Sequence, residues 1–453
     1  MNSKKTIIFL FLLIIICIVA FMVRAPKDNK NESNSLFPGF DPASAASIVI
    51  DNKSSIINLK KIEDTWVVVE EDNLPAGEDQ INKALDTIVE INKDTIISRN
   101  PEKQSIYEVD PNSGLEVVVK DKNDSIIADL FIGKSGPDFM STYVRKKDSH
   151  EVISHRGFHL KSEFDKTPQN WVDKTVVALK MEDIDKVEFI HEDEGAYLIM
   201  RDEEDENKWK VISPVEASLG SEASSIVRAL ASLRAQEIKR QDKELTEYGL
   251  DNPLLTLKIT LKDGKIYTER MAKIPDKEDY YLKVDEKEYL YTIAKYNIER
   301  VNKKWLDLVD RSVVKIDEKE IKEITFAKKG NTYTIARGDN GEWEAIKPEK
   351  VALKTDMIND IVKTLTNLRA LEVLWPEDLE NELKEYGLDI PQETITLVPN
   401  EGDAIIEQIG KLFDTKKDKY YFKLHNKNFV YLIGKYSIDK LLFNWEDVIK
   451  KEG

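Results

Sequence analysis

The chain repeats one set of landmark residues three times, and this internal repetition constrains its fold more than any other feature. Six of its seven tryptophans form two series with spacings of 134 to 143 residues: Trp66, Trp209 and Trp343, and Trp171, Trp305 and Trp445. Between the two series lies a tyrosine followed by a proline, at Tyr107 and Pro111, Tyr248 and Pro253, and Tyr386 and Pro391. A second tyrosine motif follows at 143–146, 280–283 and 420–423. The sequence therefore predicts three tandem repeats, residues 44–177, 178–314 and 315–453.

Each repeat combines strand and helix patterns. In repeat one, residues 47–51 and 56–61 alternate apolar and polar residues around a turn, which indicates a hairpin. Ile81, Leu85 and Ile88 then recur at helical spacing, and the later repeats have matching stripes. We therefore expect an α+β fold, in which each repeat is an antiparallel sheet with one or two packed helices.

The glycine of the Tyr-Gly-Leu-Asp motif is predicted to end a short helix. Gly249 and Gly387 follow a helical stretch and precede a proline, as at a C-cap where glycine adopts positive φ at low cost. Repeat one has Glu108 at this position, so its cap must differ or be strained by about 1 kcal/mol. Asp263-Gly264 and Asn340-Gly341 predict tight hairpin turns.

The N-terminus predicts a membrane anchor. Residues 7–23 are seventeen consecutive apolar residues, long enough for a short membrane-spanning helix, and Lys4 and Lys5 precede them. We interpret residues 1–6 as a cytoplasmic end, 7–23 as an uncleaved transmembrane signal anchor and 24–43 as a flexible tether, with the repeats extracytoplasmic. A cleaved signal peptide is the alternative, but its apolar region is usually shorter.

Composition limits the remaining possibilities. A third of the 453 residues are charged, which excludes a multi-span transporter. The net charge of -17 repels a phosphate backbone and disfavours a nucleic-acid role. Cys17 is the one cysteine and lies in the predicted anchor, so large cores rather than disulfides must stabilise the exported part.

No local motif specifies a reaction, a metal site or a cofactor. His155 and His159 have the spacing of two metal ligands on a helix, but Gly157 weakens that helix, and a solvated turn is the expected structure. Gly133-Lys134-Ser135 lacks the earlier glycine of a phosphate-binding loop, and Arg337-Gly338-Asp339 reads as part of a hairpin. The acidic run 202–206 lacks the glycine and terminal carboxylate of a calcium loop. We expect no catalytic residues and no enzyme.

These landmarks together resemble a known family, the bacterial domain of unknown function 4340. The pattern is clearest in repeat three, where it comprises Trp343 and residues 386–391, 409–411, 420–423 and 430–432. Repeat two departs at Ala272, where the family has glycine, and repeat one departs at Glu108. The resemblance implies a single-span, membrane-anchored chain, often encoded beside an ABC transporter ATPase, its permease and an auxiliary component of gliding-motility type. The family has no assigned catalytic residues.

Three functions are compatible with these observations. The first is a membrane-anchored accessory module in the cell envelope that binds a protein partner, an ABC-type transport complex or its auxiliary subunit. The second is a glycan-binding or hydrolytic protein with a cleft between repeats, which predicts convergent carboxylates at a repeat boundary. The third is a passive spacer. Alternation along the strands favours one outward ring in each tyrosine pair, so Tyr280, Tyr281, Tyr420 and Tyr421 are the predicted partner surface.

Overall fold

A computed structural model describes residues 34–450 except 94, 158–159, 194, 329, 339 and 414–417. It contains three antiparallel sheets with helices packed on them, so the predicted α+β fold in repeat-like units is confirmed. Each sheet falls within one of the three predicted repeats.

Repeat one forms a nine-stranded sheet in the order β4-β3-β2-β1-β6-β7-β8-β9-β5. Its strands are β1 Ala45–Asp51, β2 Ile56–Ile62, β3 Thr65–Val68, β4 Leu74–Pro75, β5 Thr95–Ser98, β6 Leu115–Asp121, β7 Ile126–Ser135, β8 Ser141–Lys146 and β9 Val152–Arg156. Its α-helices are Glu78–Glu90, Leu160–Phe164 and Pro168–Trp171, and its 3₁₀ helices are Pro42–Ser44, Val69–Glu71 and Pro101–Tyr107.

Repeat two forms a second nine-stranded sheet in the order β13-β12-β11-β10-β15-β16-β17-β18-β14. Its strands are β10 Ile184–His191, β11 Gly195–Arg201, β12 Trp209–Ser213, β13 Ala217–Ser218, β14 Glu237–Arg240, β15 Leu255–Leu261, β16 Ile266–Lys273, β17 Tyr280–Val284 and β18 Tyr289–Ile293. Its α-helices are Ser221–Ala231, Lys295–Val301 and Trp305–Leu308, and its 3₁₀ helices are Met181–Asp183 and Leu245–Tyr248.

Repeat three forms an eight-stranded sheet in the order β21-β20-β19-β23-β24-β25-β26-β22. Its strands are β19 Ile321–Lys328, β20 Asn331–Arg337, β21 Trp343–Lys347, β22 Glu372–Leu374, β23 Glu393–Pro399, β24 Ile405–Leu412, β25 Lys419–Leu424 and β26 Val430–Gly434. Its α-helices are Thr355–Thr366, Leu379–Tyr386, Lys435–Leu441 and Trp445–Val448, with a 3₁₀ helix at Glu318–Glu320. The strand order matches repeats one and two without the short edge strand.

The sheet cores follow from strand alternation. In β1, Ile48 lies opposite Leu59 on one side and Val119 on the other, and all three are fully buried. The long helix of each repeat buries the predicted apolar stripe, which in repeat one includes Ile81, Leu85 and Ile88. In repeats two and three it packs against the helix that follows the last strand. Burying such stripes supplies roughly 25 cal/mol per Å² of apolar surface.

The predicted helix caps are present in all three repeats. Gly249 and Gly387 have φ of +68° and +66°, and Glu108 adopts the same left-handed conformation with φ of +56°. In each case the N–H of the next residue donates to the carbonyl five residues back, as Leu388 does to Leu383 at 2.8 Å. Repeat one therefore keeps the cap geometry although it lacks the glycine.

The first described residues are packed rather than extended. Leu36 and Phe37 are buried, and the Leu36 N–H donates to the Ile91 carbonyl at 2.8 Å. Residues 34–43 of the predicted tether therefore contact repeat one. The cytoplasmic end, the anchor at 7–23 and residues 24–33 lie outside the described residues. In the described part of the chain, the helices are too short or too polar to cross a membrane.

Chain contacts divide the molecule into two compact bodies rather than three. Of the described residues, one body holds 34–175, 235–242 and 289–291, and the other holds 176–234, 243–288 and 292–450. The second body thus holds most of repeat two together with all of repeat three.

Candidate functional site

Most of the landmark residues form the core of the repeats. Trp66, Trp209, Trp343, Trp171 and Trp445 are buried, whereas Trp305 is half-buried. The guanidinium groups of Arg201 and Arg337 lie over the rings of Trp209 and Trp343, at 4.8 and 4.6 Å. Arg337 also donates to backbone carbonyls of Ile321, Glu318 and Gly341. The arginine of the Arg-Gly-Asp tripeptide is therefore engaged within its own repeat, by the Trp343 ring and by backbone carbonyls.

The two tyrosine landmarks of each repeat pack against each other. The ring centroids are 4.8 Å apart for Tyr107 and Tyr143, 5.0 Å for Tyr248 and Tyr281, and 4.3 Å for Tyr386 and Tyr421. Each pair joins the last residue of the short helix to the sheet. The prolines that follow, Pro111, Pro253 and Pro391, are exposed or half-buried.

The exposure predicted for the paired tyrosines is wrong in repeat three. Tyr420 and Tyr421 are 6% and 8% exposed, because β25 is covered on both faces. Leu388 and Tyr386 cover Tyr421 on one face, and Phe422 and Leu424 lie buried on the other. Tyr280 and Tyr281 are half-buried. The pairs thus act first as packing groups within their own repeats.

A cleft lies between repeats two and three, inside the second compact body. Its volume is about 560 Å³. Repeat two contributes residues 215–218 and 309–310, and residues 312–315 connect the two repeats. Repeat three contributes the remaining lining residues, Trp375, Ile405, Leu424, Asn426, Lys427, Asn428, Phe429 and Tyr431. The backbone holds the two sides together, because Val313 N–H donates to Leu368 and Ala370 N–H donates to Arg311.

The seventh tryptophan, which falls outside both repeating series, lies in this cleft. Trp375 packs edge-on against Trp305 of repeat two at 6.1 Å and against Phe429 at 5.2 Å. Trp305 consequently differs from Trp171 and Trp445, because it contacts the next repeat instead of being buried in its own. A half-buried ring in a cleft offers an apolar wall to a ligand. The break in the tryptophan register was the sequence signal that could have located this site.

Polar groups are interleaved with the rings. The Asp310 carboxylate accepts from Lys315 Nζ at 2.6 Å and from the Ser312 N–H at 2.9 Å. Burial raises the pKa of Asp310, but these hydrogen bonds outweigh burial and leave the pKa below its ordinary value. Burial, with a smaller contribution from Asp310, raises the pKa of Tyr431. At neutral pH the cleft thus presents an ion pair and a neutral phenol.

A buried carboxyl group lies beside the cleft floor. Glu407 shares a strand face with Ile405 and lies directly opposite Leu424, and both of these line the cleft. Glu407 is 0% exposed, and neither carboxyl oxygen finds a hydrogen-bond partner among the described residues. Burial raises the pKa of Glu407 well above its ordinary value, because the charged form loses its hydration.

The matching position in repeat two carries the same residue. Glu269 is also fully buried without a described hydrogen-bond partner, and burial raises its pKa to about 8. Repeat one has Leu130 there. Glu393 differs, because Lys328 Nζ lies 3.4 Å from its carboxylate, although burial still raises its pKa to about 7. Sequence reasoning missed these glutamates, whose only signal is an acid at an apolar position of a strand.

The described residues contain no group of three or more His, Cys, Asp or Glu side chains that could hold a metal ion. The solvated turn expected around His155 is wrong. His155 lies in β9, is 6% exposed, and its Nδ1 accepts from the Asn92 N–H at 3.4 Å. His159 lies outside the described residues. Lys134 lies in the sheet strand β7, one residue before its end, instead of opening a helix as in a phosphate-binding loop.

The fold and the cleft define a class: a tandem-repeat α+β protein with a mixed aromatic and polar cleft between two repeats. The comparison with family models identifies the family of the chain. The model of the domain of unknown function DUF4340 matches residues 66–253 and 209–382, and the chain belongs to this family. The two overlapping matches start at Trp66 and Trp209, the same landmark of consecutive repeats, which agrees with repeated copies.

Other comparisons add little. No curated protein matches the chain. The DNA polymerase III subunit beta from Pseudomonas aeruginosa aligns over 88% of this chain and 94% of its own, with 9% identity and a TM-score of 0.13. The DNA polymerase sliding clamp from the same organism, with ligand, aligns over 88% and 93%, with the same identity and TM-score. Similarity at this level carries no argument about fold or function.

Proposed function

We propose that the chain is a membrane-anchored, extracytoplasmic binding module that holds a segment of a partner protein in the cleft between repeats two and three. The proposed partner is an ABC-type transport complex of the cell envelope or its auxiliary subunit. The observation that carries the proposal is the cleft itself. It gathers residues that the repeats do not share, above all Trp375, while most of the shared landmarks are used inside each repeat.

The chemistry of the cleft suits a peptide segment. Trp375 and Phe429 form an apolar wall for a hydrophobic side chain. Asn426 and Asn428 carry amides that can donate to and accept from a peptide backbone. Asp310 and Lys315 pair with each other and provide both signs of charge at the rim.

The sequence supports the proposed location. The seventeen apolar residues at 7–23, preceded by Lys4 and Lys5, suit a signal anchor with a short cytoplasmic end. A partner in the same membrane would then be confined near the cleft, which raises the effective concentration of both. The choice of a transport complex rests on the family resemblance.

Affinity purification of the full-length chain from its native membranes in mild detergent tests the proposal. We expect transporter or auxiliary subunits to co-purify with the wild type and to fall at least fivefold with Trp375→Ala. Tyr436→Ala is the matched control, because Tyr436 is an aromatic residue that is 78% exposed and does not line the cleft. Equal recovery of the partners with Trp375→Ala and the control would overturn the cleft as the docking site. Absence of such subunits from every preparation would overturn the partner class.

A glycan is the second candidate occupant, because the cleft combines aromatic rings with side-chain amides and with Glu216 and Asp310. The glutamates with raised pKa values, Glu269, Glu393 and Glu407, do not line it. This arrangement favours glycan binding over hydrolysis. Titration of cell-envelope oligosaccharides into the wild type and Trp375→Ala distinguishes this candidate from the protein partner.

A passive spacer is the remaining alternative. It predicts that neither Trp375→Ala nor Tyr436→Ala has an effect, and that a phenotype follows only when a whole repeat is removed.

A further inference from the structure

Repeat one presents an apolar loop that the corresponding loop of repeat two does not match. Phe139 and Met140, between β7 and β8, are 85% and 57% exposed. At the same place repeat two has Asp276, Lys277 and Glu278, which are charged and exposed. An exposed phenylalanine beside an exposed methionine costs solubility, and the contrast with the described loop of repeat two indicates a function specific to repeat one.

The loop is held in an ordered shape that keeps these side chains outward. Gly136 N–H donates to the Ser141 carbonyl at 2.8 Å, and Phe139 N–H donates to Gly136 at 3.0 Å. The Asp138 carboxylate accepts from the N–H groups of Met140 and Ser141, each at 3.1 Å, and from the Ser141 hydroxyl at 2.7 Å. Phe139 itself has a φ of +54°. The backbone thus holds a left-handed residue at the tip of an exposed turn.

The chain enters repeat one at the same end of the sheet. Ser35 forms a β-bridge with Asn92, whose N–H donates to His155. In the ladder between β8 and β9, His155 lies opposite Thr142 and Arg156 opposite Ser141. Ser141 directly follows the apolar loop. The first described residues and the loop are therefore only two strands apart, at one edge of repeat one.

Ten residues, 24–33, lie between the end of the predicted anchor and Asn34. Ten extended residues span at most about 35 Å, so a membrane-embedded segment at 7–23 keeps this edge close to the bilayer. Lys134, just before the loop, and Arg156, opposite Ser141, are exposed, in a protein whose net charge is -17. The Asp138 carboxylate within the loop accepts hydrogen bonds from the loop's own N–H groups. Apolar residues flanked by basic ones are typical of surfaces that enter the lipid interface, where anionic headgroups attract the cations.

We propose that the Phe139–Met140 loop inserts into the membrane interface and fixes repeat one against the lipid surface. This inference rests on the membrane anchor of the proposed function. The anchor supplies attachment and the loop supplies orientation, because two contact points restrict rotation about the tether.

Fluorescence quenching in vesicles tests the proposal. The full chain carrying Cys17→Ser and Met140→Cys is labelled with an environment-sensitive dye and reconstituted into phosphatidylethanolamine and phosphatidylglycerol vesicles. Lipids with a nitroxide near the headgroup should quench the dye at least twofold. The matched control, Cys17→Ser with Lys277→Cys, places the dye on the corresponding loop of repeat two, where we expect no quenching.

A second pair of variants tests whether the quenching depends on the apolar side chains of the loop, with the dye attached outside it. With the dye at Ser135→Cys, replacing Phe139 and Met140 by serine should reduce quenching at least twofold. Alkaline carbonate extraction of the same vesicles reports the anchor. Chain that resists extraction while the dye at 140 is quenched no more than at 277 would overturn the loop contact and leave the anchor standing. Chain that is extracted would overturn both.

Discussion

Repeats one and three form the same cap with different residues, Glu108 in one and Gly387 in the other. Both adopt left-handed conformations with φ of +56° and +66°, and both are followed by an N–H that donates back into the last turn. In both, the tyrosine just before the cap packs on a tyrosine of the sheet. The backbone conformation is thus imposed by hydrogen bonding and tertiary packing, and the residue determines only what that conformation costs.

The three repeats also differ along one strand, at two positions that can be exchanged between them. The first holds Leu130, Glu269 and Glu407. The second holds Gly133, Ala272 and Gly410. Replacing the residue of one repeat by its equivalent from another tests whether the effect on stability is set by the residue itself or by the side chains packed around it.

The largest expected effect is the pH dependence caused by Glu269. Its pKa is about 8 in the folded chain against an ordinary value of 4.5. Below pH 4.5 both states are protonated, and between 4.5 and 8 only the unfolded state loses the proton, so stability falls as pH rises. Glu269→Leu, the residue of repeat one, should therefore gain roughly 1.4 kcal/mol per pH unit over the wild type, about 4 kcal/mol between pH 5 and 8.

Denaturant unfolding at pH 5, 6, 7 and 8 measures this difference. Glu203→Leu is the control, because Glu203 is exposed in a turn, and its unfolding free energy should track the wild type. If the free energy of unfolding changes with pH in the same way for Glu269→Leu and the wild type, the Glu269 carboxyl group is ionised or solvated in the folded chain.

The next effect is steric and concerns Gly410, in the family motif at residues 409–411. A Cβ on Gly410 would lie 2.5 Å from the Tyr386 carbonyl oxygen and 3.0 Å from Leu388 Cγ. Gly410→Ala should therefore cost about 3 kcal/mol, since the capped segment must move. Ala272→Gly in repeat two should cost about 1 kcal/mol, from lost packing and added chain entropy. Thermal unfolding measures the loss of stability of both variants. Equal losses for Gly410→Ala and Ala272→Gly would mean that repeat three accommodates the added methyl group without a clash.

The smallest effect sharpens the cap comparison. Glu108→Gly should stabilise the chain by up to about 1 kcal/mol, and Gly387→Ala should destabilise it by a similar amount, because a left-handed residue with a Cβ is strained. Gly249→Ala is the second test, since its Cβ would meet only Ala272 Cβ at 3.7 Å. Denaturation midpoints measure all three. A loss of stability in Glu108→Gly would show that the side chain, which lies 3.8 Å from Lys161 Nζ, contributes more than the strain costs.

Local patterns predicted the repeats, the apolar helix stripes, the hairpin turns and the caps, because each depends on residues close in sequence. They failed where the burial of a residue depends on a segment that is distant in sequence. Alternation predicted an outward ring in Tyr420–Tyr421, but the segment around Leu388 covers the face that would otherwise be exposed. His155 was expected in a turn and lies in a buried strand.

The cleft could not be predicted from one repeat, since it forms between two. Trp375 and Asp310 are far apart in sequence and meet there only through the packing of repeats two and three. Glu407 looked like one acid among 84 acidic residues. Only knowledge of the sheet register shows that it takes the place of Leu130.

The close fit of Gly410 beneath the Tyr386 carbonyl has a consequence for how the chain reaches its fold. Three repeats with one topology can exchange equivalent strands while they fold, and such swaps are a known failure of tandem arrays. The strand of repeat two carries a methyl group at Ala272 and cannot seat against the capped segment of repeat three without displacing that carbonyl. This one methyl group thus disfavours pairing of the repeat-two strand with the capped segment of repeat three, and it bears on the order of assembly as well as on the final stability.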